Sequence, residues 1–147
     1  MGSYQIHKEK VEVTMTLQSG PPLDGFVFLV RDAIGNLDLA NMLNDTDEPF
    51  FPFEHSDGGV SLIAKNKIVY VKDDQAGLPE TDLLPPPVEI TVFFTNDEDI
   101  TGLIYSDMPH DTLRASDYVN RREHFMIMYQ GNQQVIFNRD QILYIND

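Results

Sequence analysis

Residues 88–105, VEITVFFTNDEDITGLIY, decide how this chain is read, because residues 11–28, VEVTMTLQSGPPLDGFVF, are a second copy of them. Laid side by side without a gap, Val11/Val88, Glu12/Glu89, Thr14/Thr91 and Gly25/Gly102 are identical, and seven further positions exchange one apolar residue for another. Val11, Val13, Met15 and Leu17 alternate with polar residues, and Val88, Ile90, Val92 and Phe94 are the matching set. A period of two marks a half-buried strand. A short turn follows in each copy, then a second strand that holds the glycine, which suits a sharp bend or a close backbone approach. Each copy therefore begins with a β-hairpin.

The match continues outward. Leu39, Met42 and Leu43 sit at i, i+3 and i+4, one face of a short helix. Residues 113–120 fall on residues 37–44, with Asn120 on Asn44, and Ser116 is placed to cap that second helix. Phe50, Phe51 and Phe53 open a strand that Pro52 assigns to an edge or a bulge. Residues 60–64 and 68–71 are two more strands about a Lys65-Asn66-Lys67 turn, and their counterparts are 134–137 and 142–145. The division is a first repeat over residues 1–72, an acidic connector over 73–87 that ends in three prolines, and a second repeat over 88–147. A proline run is extended and stiff and enters neither helix nor central strand.

Five short strands, a bent second strand and one short helix per copy predict a mainly β chain of two tandem five-stranded small barrels, since a sheet of that size removes its edges by curling on itself. The run Arg114-Ala115-Ser116-Asp117-Tyr118-Val119-Asn120, then Val135-Ile136-Phe137-Asn138-Arg139 and Ile142-Leu143-Tyr144-Ile145, resembles uncharacterised bacterial or phage proteins with tandem Sm-like (SH3-like) small β-barrels. The resemblance implies that fold for both copies. Sm proteins hold RNA with an Asp-x-x-x-Asn type of loop and an Arg-Gly pair before the last strand. Asp38 to Asn44 echoes the loop, but Asn138-Arg139-Asp140 and Lys65-Asn66-Lys67 stand where the pair belongs, so no site residue carries over.

Ten basic residues against twenty-four acidic ones give a net charge of −14. Phosphate backbones are bound by clustered Lys and Arg, and here the basic residues are scattered, so the expectation is that nucleic acid is not a partner. The acidity itself is read as solubility, or else as attraction for a cationic partner. The absence of cysteine excludes disulfides, zinc-thiolate sites and a thiol nucleophile. With no signal-peptide pattern and no long apolar run, the expectation is a soluble, cytoplasmic protein that does not enter a membrane.

Candidate chemistry is sparse. Asp107, His110 and Asp111 are potential metal ligands, although a solvated polar loop around Pro109 is the stronger reading. The turn Asp97-Glu98-Asp99 lacks the spaced oxygens and glycine of a calcium loop. No phosphate-cradling, dinucleotide or nucleophile-elbow motif occurs. No catalytic residue, metal ligand or cofactor is therefore assigned, and the chain is read as no enzyme. Apolar residues in the outward phase carry more information: Phe93 stands where the first copy has Thr16, and Phe26 and Phe28 make their strand apolar on both faces. Such a strand is covered twice, by the other repeat or by a subunit or partner. Phe26, Phe28 and Phe93 are thus the candidate interface. Two function classes stand: a non-catalytic protein-interaction or assembly module that binds a protein partner or itself, and an Sm-like nucleic-acid or small-ligand binder.

Overall fold

A computed structural model describes residues 7–74, 86–105, 114–121 and 123–147. The first repeat forms β1 (Glu9–Leu17), β2 (Leu23–Leu29), α1 (Leu39–Asn44), β3 (Phe50–His55), β4 (Val60–Ala64) and β5 (Ile68–Asp73). The second forms β6 (Val88–Phe94), β7 (Asp99–Ile104), α2 (Ala115–Val119), β8 (Phe125–Gln130), β9 (Gln133–Asn138) and β10 (Ile142–Asn146). A 3₁₀ turn joins the last two strands of each repeat, Lys65–Lys67 in one and Arg139–Gln141 in the other. Most of the connector read at 73–87 lies outside the described residues, as does the Asp107, His110 and Asp111 loop.

The mainly β class holds, but the two closed barrels do not. The ten strands of the described residues lie in one open sheet in the order β10-β6-β7-β8-β9-β5-β1-β2-β3-β4. The reason is that a strand has only two hydrogen-bonding edges. Closing the first repeat on itself needs β5 against β4, yet β5 gives one edge to β1 and the other to β9, pairing Tyr70 with Phe137 and Val71 with Ile136. In the same way β9 lies between β8 and β5, so it cannot turn back to β10. The Sm-like small-barrel resemblance is corrected with it. What the repeats do share is internal order, β5-β1-β2-β3-β4 matching β10-β6-β7-β8-β9.

Equivalent backbone details recur. Val13 faces Gly25 and Ile90 faces Gly102 across the two hairpins. A Cβ on Gly25 would press on the Glu54 carbonyl and the Phe53 ring, and one on Gly102 on Met128 and the Tyr129 carbonyl. Close approach of the third strand of each repeat, not a special backbone angle, is what requires glycine. Gln18 donates its backbone N–H to Lys67 at 3.0 Å, as Thr95 does to Gln141 at 2.9 Å.

Two local expectations change. Pro52 does not place β3 at an edge, because β3 lies between β2 and β4. The proline is tolerated because pairing with β2 covers only Phe53 to His55, and Pro52 stands beyond it, opposite Leu62 of β4. Ser116 does not cap α2: the helix starts at Ala115, and the cap position falls two residues before Ser116, at Arg114. In α1 the cap is Asp38, whose carboxylate accepts from the Asn41 N–H at 2.9 Å.

Candidate interaction site at the junction of the repeats

The surface that organises the molecule is the β5/β9 junction. There each core takes in side chains of the other repeat. Phe125 and Ile136 of the second repeat are buried with Val11, Met15, Phe53 and Leu43 of the first. Val69 and Tyr70 of the first are buried with Ile90, Phe94 and Phe137 of the second. Strands β5 and β9 are apolar on both faces because each face meets a different core. Ile68 to Val71 are all buried, and so are Val135 to Phe137.

Polar groups at the ends of these strands fix the register. Asn138, which ends the apolar run of β9, donates from Nδ2 to the Ile68 carbonyl at 2.9 Å. Gln141 donates from Nε2 to the Asn66 carbonyl at 2.9 Å and accepts from the Thr95 hydroxyl at 2.6 Å. Both side chains are buried, and a buried amide without partners costs about 1–3 kcal/mol, so these bonds specify where the strands stop sliding. Asn44, at the end of α1, bonds both backbone groups of Phe125 at the start of β8.

The hydroxyl of Tyr70 donates to the carboxylate of Glu98 in the β6/β7 turn, a bond from the first repeat to the second. Burial pushes the phenol above its ordinary value, and the hydrogen bond to Glu98 adds to the rise while one with Thr16 opposes it. Lys65 donates from Nζ to the carbonyls of Met42 and Asp45, both at 2.8 Å, and so caps the C-terminal end of α1. Burial pulls its ammonium below the ordinary value against the opposing pull of Asp45 and Glu48. Arg139 takes the same role in the second repeat, donating to the Arg121 carbonyl.

Next to the junction lies a cleft of ≈ 280 Å³, where Leu43, Phe50, Lys65, His124 and Phe125 converge. His124 Nδ1 lies 2.8 Å from Asp140 on its rim. Among the described residues no group of three or more His, Asp or Glu is placed to hold a metal ion. None of the described helices is long and apolar enough to cross a membrane.

Phe26, Phe28 and Phe93 are half-buried and are not brought together, since two lie on β2 and the third on β6. Phe93 stacks on Tyr144 of its own repeat with ring centroids 4.5 Å apart. The ammonium of Lys10 sits 5.5 Å from the Phe26 ring while it pairs with Glu54 at 2.6 Å. Sequence reasoning had aligned Asn44 with Asn120 without a role, had named Asn138 and Lys65 only as departures from an Arg-Gly pair, and passed over Gln141. A polar residue closing a fully apolar strand, Asn138 after Val135-Ile136-Phe137, was the available signal. Comparison of the chain with protein-family models, curated proteins and solved structures finds no match to any of them.

Proposed function

We propose that the chain is a non-catalytic assembly module that binds protein by strand addition at the two ends of its sheet. The observation that carries this reading is the character of those ends. Among the described residues, strands β4 and β10 each have a single neighbour in the sheet order. Natural edge strands are blunted by charge, by proline or by a bulge that turns the edge away. Here β4 reads VSLIA and β10 reads ILYIN, without a charge or a proline; β10 does shift register against β6 between Ile142 and Tyr144, but β5 carries the equivalent shift against β1 and still pairs with β9 along its other edge. Leu62, Leu143 and Tyr144 point large apolar surface at solvent on these strands. An open edge of this kind accepts an extended segment through main-chain hydrogen bonds, with alternate side chains adding specificity.

The junction cleft supports the second class, a small-ligand binder, less well. Its volume is at the bottom of the range for ligand pockets, about 300–1,000 Å³. Its lysine is already committed to the carbonyls of α1.

In-cell cross-linking tests the proposal. Adducts with other proteins, or with further copies, are expected to map to β4 and β10 and to disappear in the double variant Leu62→Lys, Tyr144→Lys. Adducts that map to other surfaces, or that survive in the double variant, would refute it.

A further inference from the structure

We infer that the strand each edge accepts belongs to a second copy of this chain, joined head to tail: β10 of one molecule pairs antiparallel with β4 of the next, in the register that β5 and β9 use inside the chain. This rests on the strand-addition reading and names its partner. The two repeats have the same internal order, so β10 is the counterpart of β5 and β4 the counterpart of β9. The two edges left open are therefore the same two strands that pair at the internal junction.

Side chains repeat the pattern. Beside the half-buried Ile127, whose counterpart is Pro52, four buried residues cross the internal junction into the other repeat's core: Phe125 and Ile136 in one direction, Val69 and Tyr70 in the other. Aligned on Ile68/Ile142 and on the equivalent pairs Phe50/Ala64 and Phe125/Asn138, their counterparts are Phe50, Leu62, Leu143 and Tyr144. All four keep large apolar side chains, and all four are uncovered, at 57%, 70%, 60% and 55% exposure. Side chains buried at one copy of an interface and bare at the other are what an unfilled second interface looks like.

The geometry then fixes the details. Tyr70 opposite Phe137 and Val71 opposite Ile136 become Tyr144 opposite Ile63 and Ile145 opposite Leu62 of the neighbour. Asn120 takes the place of Asn44, but its Nδ2 donates to the Ser116 carbonyl at 2.8 Å, so the pair of bonds that Asn44 gives Phe125 is not preformed for the neighbour's Phe50. The second junction is weaker than the first. Glu98, which anchors Tyr70, aligns with Pro21, and the buried Asn138 aligns with Ala64, so two polar anchors are missing. Two chains of net charge −14 also repel, and added salt screens that repulsion. The contact is reversible and tightens as ionic strength rises. Being heterologous, it propagates into a ring or an open filament and does not stop at a symmetric dimer.

Single-edge variants test this on the purified chain. Leu62→Lys blocks only β4 and Tyr144→Lys blocks only β10. By light scattering at high micromolar concentration and raised salt, the parent is expected above monomer mass and each variant at monomer mass. An equimolar mixture of the two variants is expected to form a one-to-one dimer through the intact β10 of the first and the intact β4 of the second. The absence of native cysteine allows a second measurement. Leu62→Cys and Ile145→Cys are expected to cross-link to each other and not to themselves. A monomeric parent would overturn the inference, and so would self-cross-linking of either cysteine variant or a mixture that stays monomeric. If the purified chain is monomeric while in-cell adducts still map to β4 and β10, only the identity of the partner is overturned, and the strand-addition reading survives.

Discussion

The side-chain amide of Asn44 satisfies both backbone groups of Phe125: Nδ2 donates to the carbonyl at 3.0 Å and Oδ1 accepts from the N–H at 2.8 Å. One residue at the end of α1 thus stands in for a strand partner at the start of β8, in the other repeat. Asn44→Ala removes both bonds and is expected to cost about 2 kcal/mol, the range for leaving part-buried backbone groups unpaired. Because each core contains residues of the other repeat, both are expected to unfold in one transition at a lower denaturant midpoint and unchanged slope. Asn44→Asp keeps the acceptor for the N–H but sets a carboxylate against the Phe125 carbonyl. Its stability is expected to recover as acid protonates that carboxylate, which then donates as Nδ2 did. A variant whose midpoint is insensitive to acid would contradict this.

The bond from Tyr70 to Glu98 predicts how the fold responds to base. Burial and the Glu98 carboxylate raise the phenol's pKa above 10.0 in the folded chain. In the window between the unfolded and the folded value the native state binds more protons than the unfolded one, so stability falls as pH rises through it. The contribution is therefore intact below pH 10.0 and lost above it. Tyr70→Phe is expected to lower stability at pH 7 by about 1 kcal/mol, the value of an ordinary hydrogen bond and below that of a charged one, because Glu98 is exposed and water replaces the phenol. The same variant is expected to flatten the alkaline decline. Denaturant midpoints measured from neutral to strongly alkaline pH in parent and variant check both parts. Parallel curves would refute the assignment of the decline to Tyr70.

The repeat, its strands and its short helices were legible because side-chain periodicity reports which face of an element is buried. Edge choice was not legible. Every strand offers the same backbone donors and acceptors, so alternation along Ile68 to Val71 cannot say whether the partner is β4, which would close a barrel, or β9, which opens the sheet. The decisive signal was present in β5 and β9 and was read only on β2. Phe26 and Phe28 drew the inference that a strand apolar on both faces is covered twice, yet both are only half-buried. Within the chain, the strands covered on both faces are β5, with Ile68, Val69, Tyr70 and Val71 all buried, and β9. Phe93 stood out for occupying the outward phase, and its neighbour proved to be Tyr144, close by in the same repeat.

The paired glycines give a last prediction, in which equivalent positions respond unequally. Neither Gly25 nor Gly102 has a positive φ, so an alanine at either site is opposed by its neighbours and not by its backbone angle. At Gly25 the added Cβ would overlap the Glu54 carbonyl oxygen and lie 2.8 Å from the Phe53 ring, where Phe53 is fully buried and flanked by ladder pairs on β2 and β4. Nothing there can move without parting β2 from β3. At Gly102 the first atom met is the Met128 sulfur at 2.9 Å, and a thioether side chain can rotate away, leaving the Tyr129 carbonyl at 2.9 Å to shift slightly. Overpacking a tight site costs about 1–3 kcal/mol, and more where backbone must move. Gly102→Ala is therefore expected to fold with a loss inside that range, and Gly25→Ala to lose more than its upper end or to fail to fold. Chemical denaturation of the two variants side by side measures the difference. Equal losses would mean that β2 and β3 separate as readily as a methionine turns, and that the close approach at Gly25 does not hold the first repeat's hairpin against its third strand.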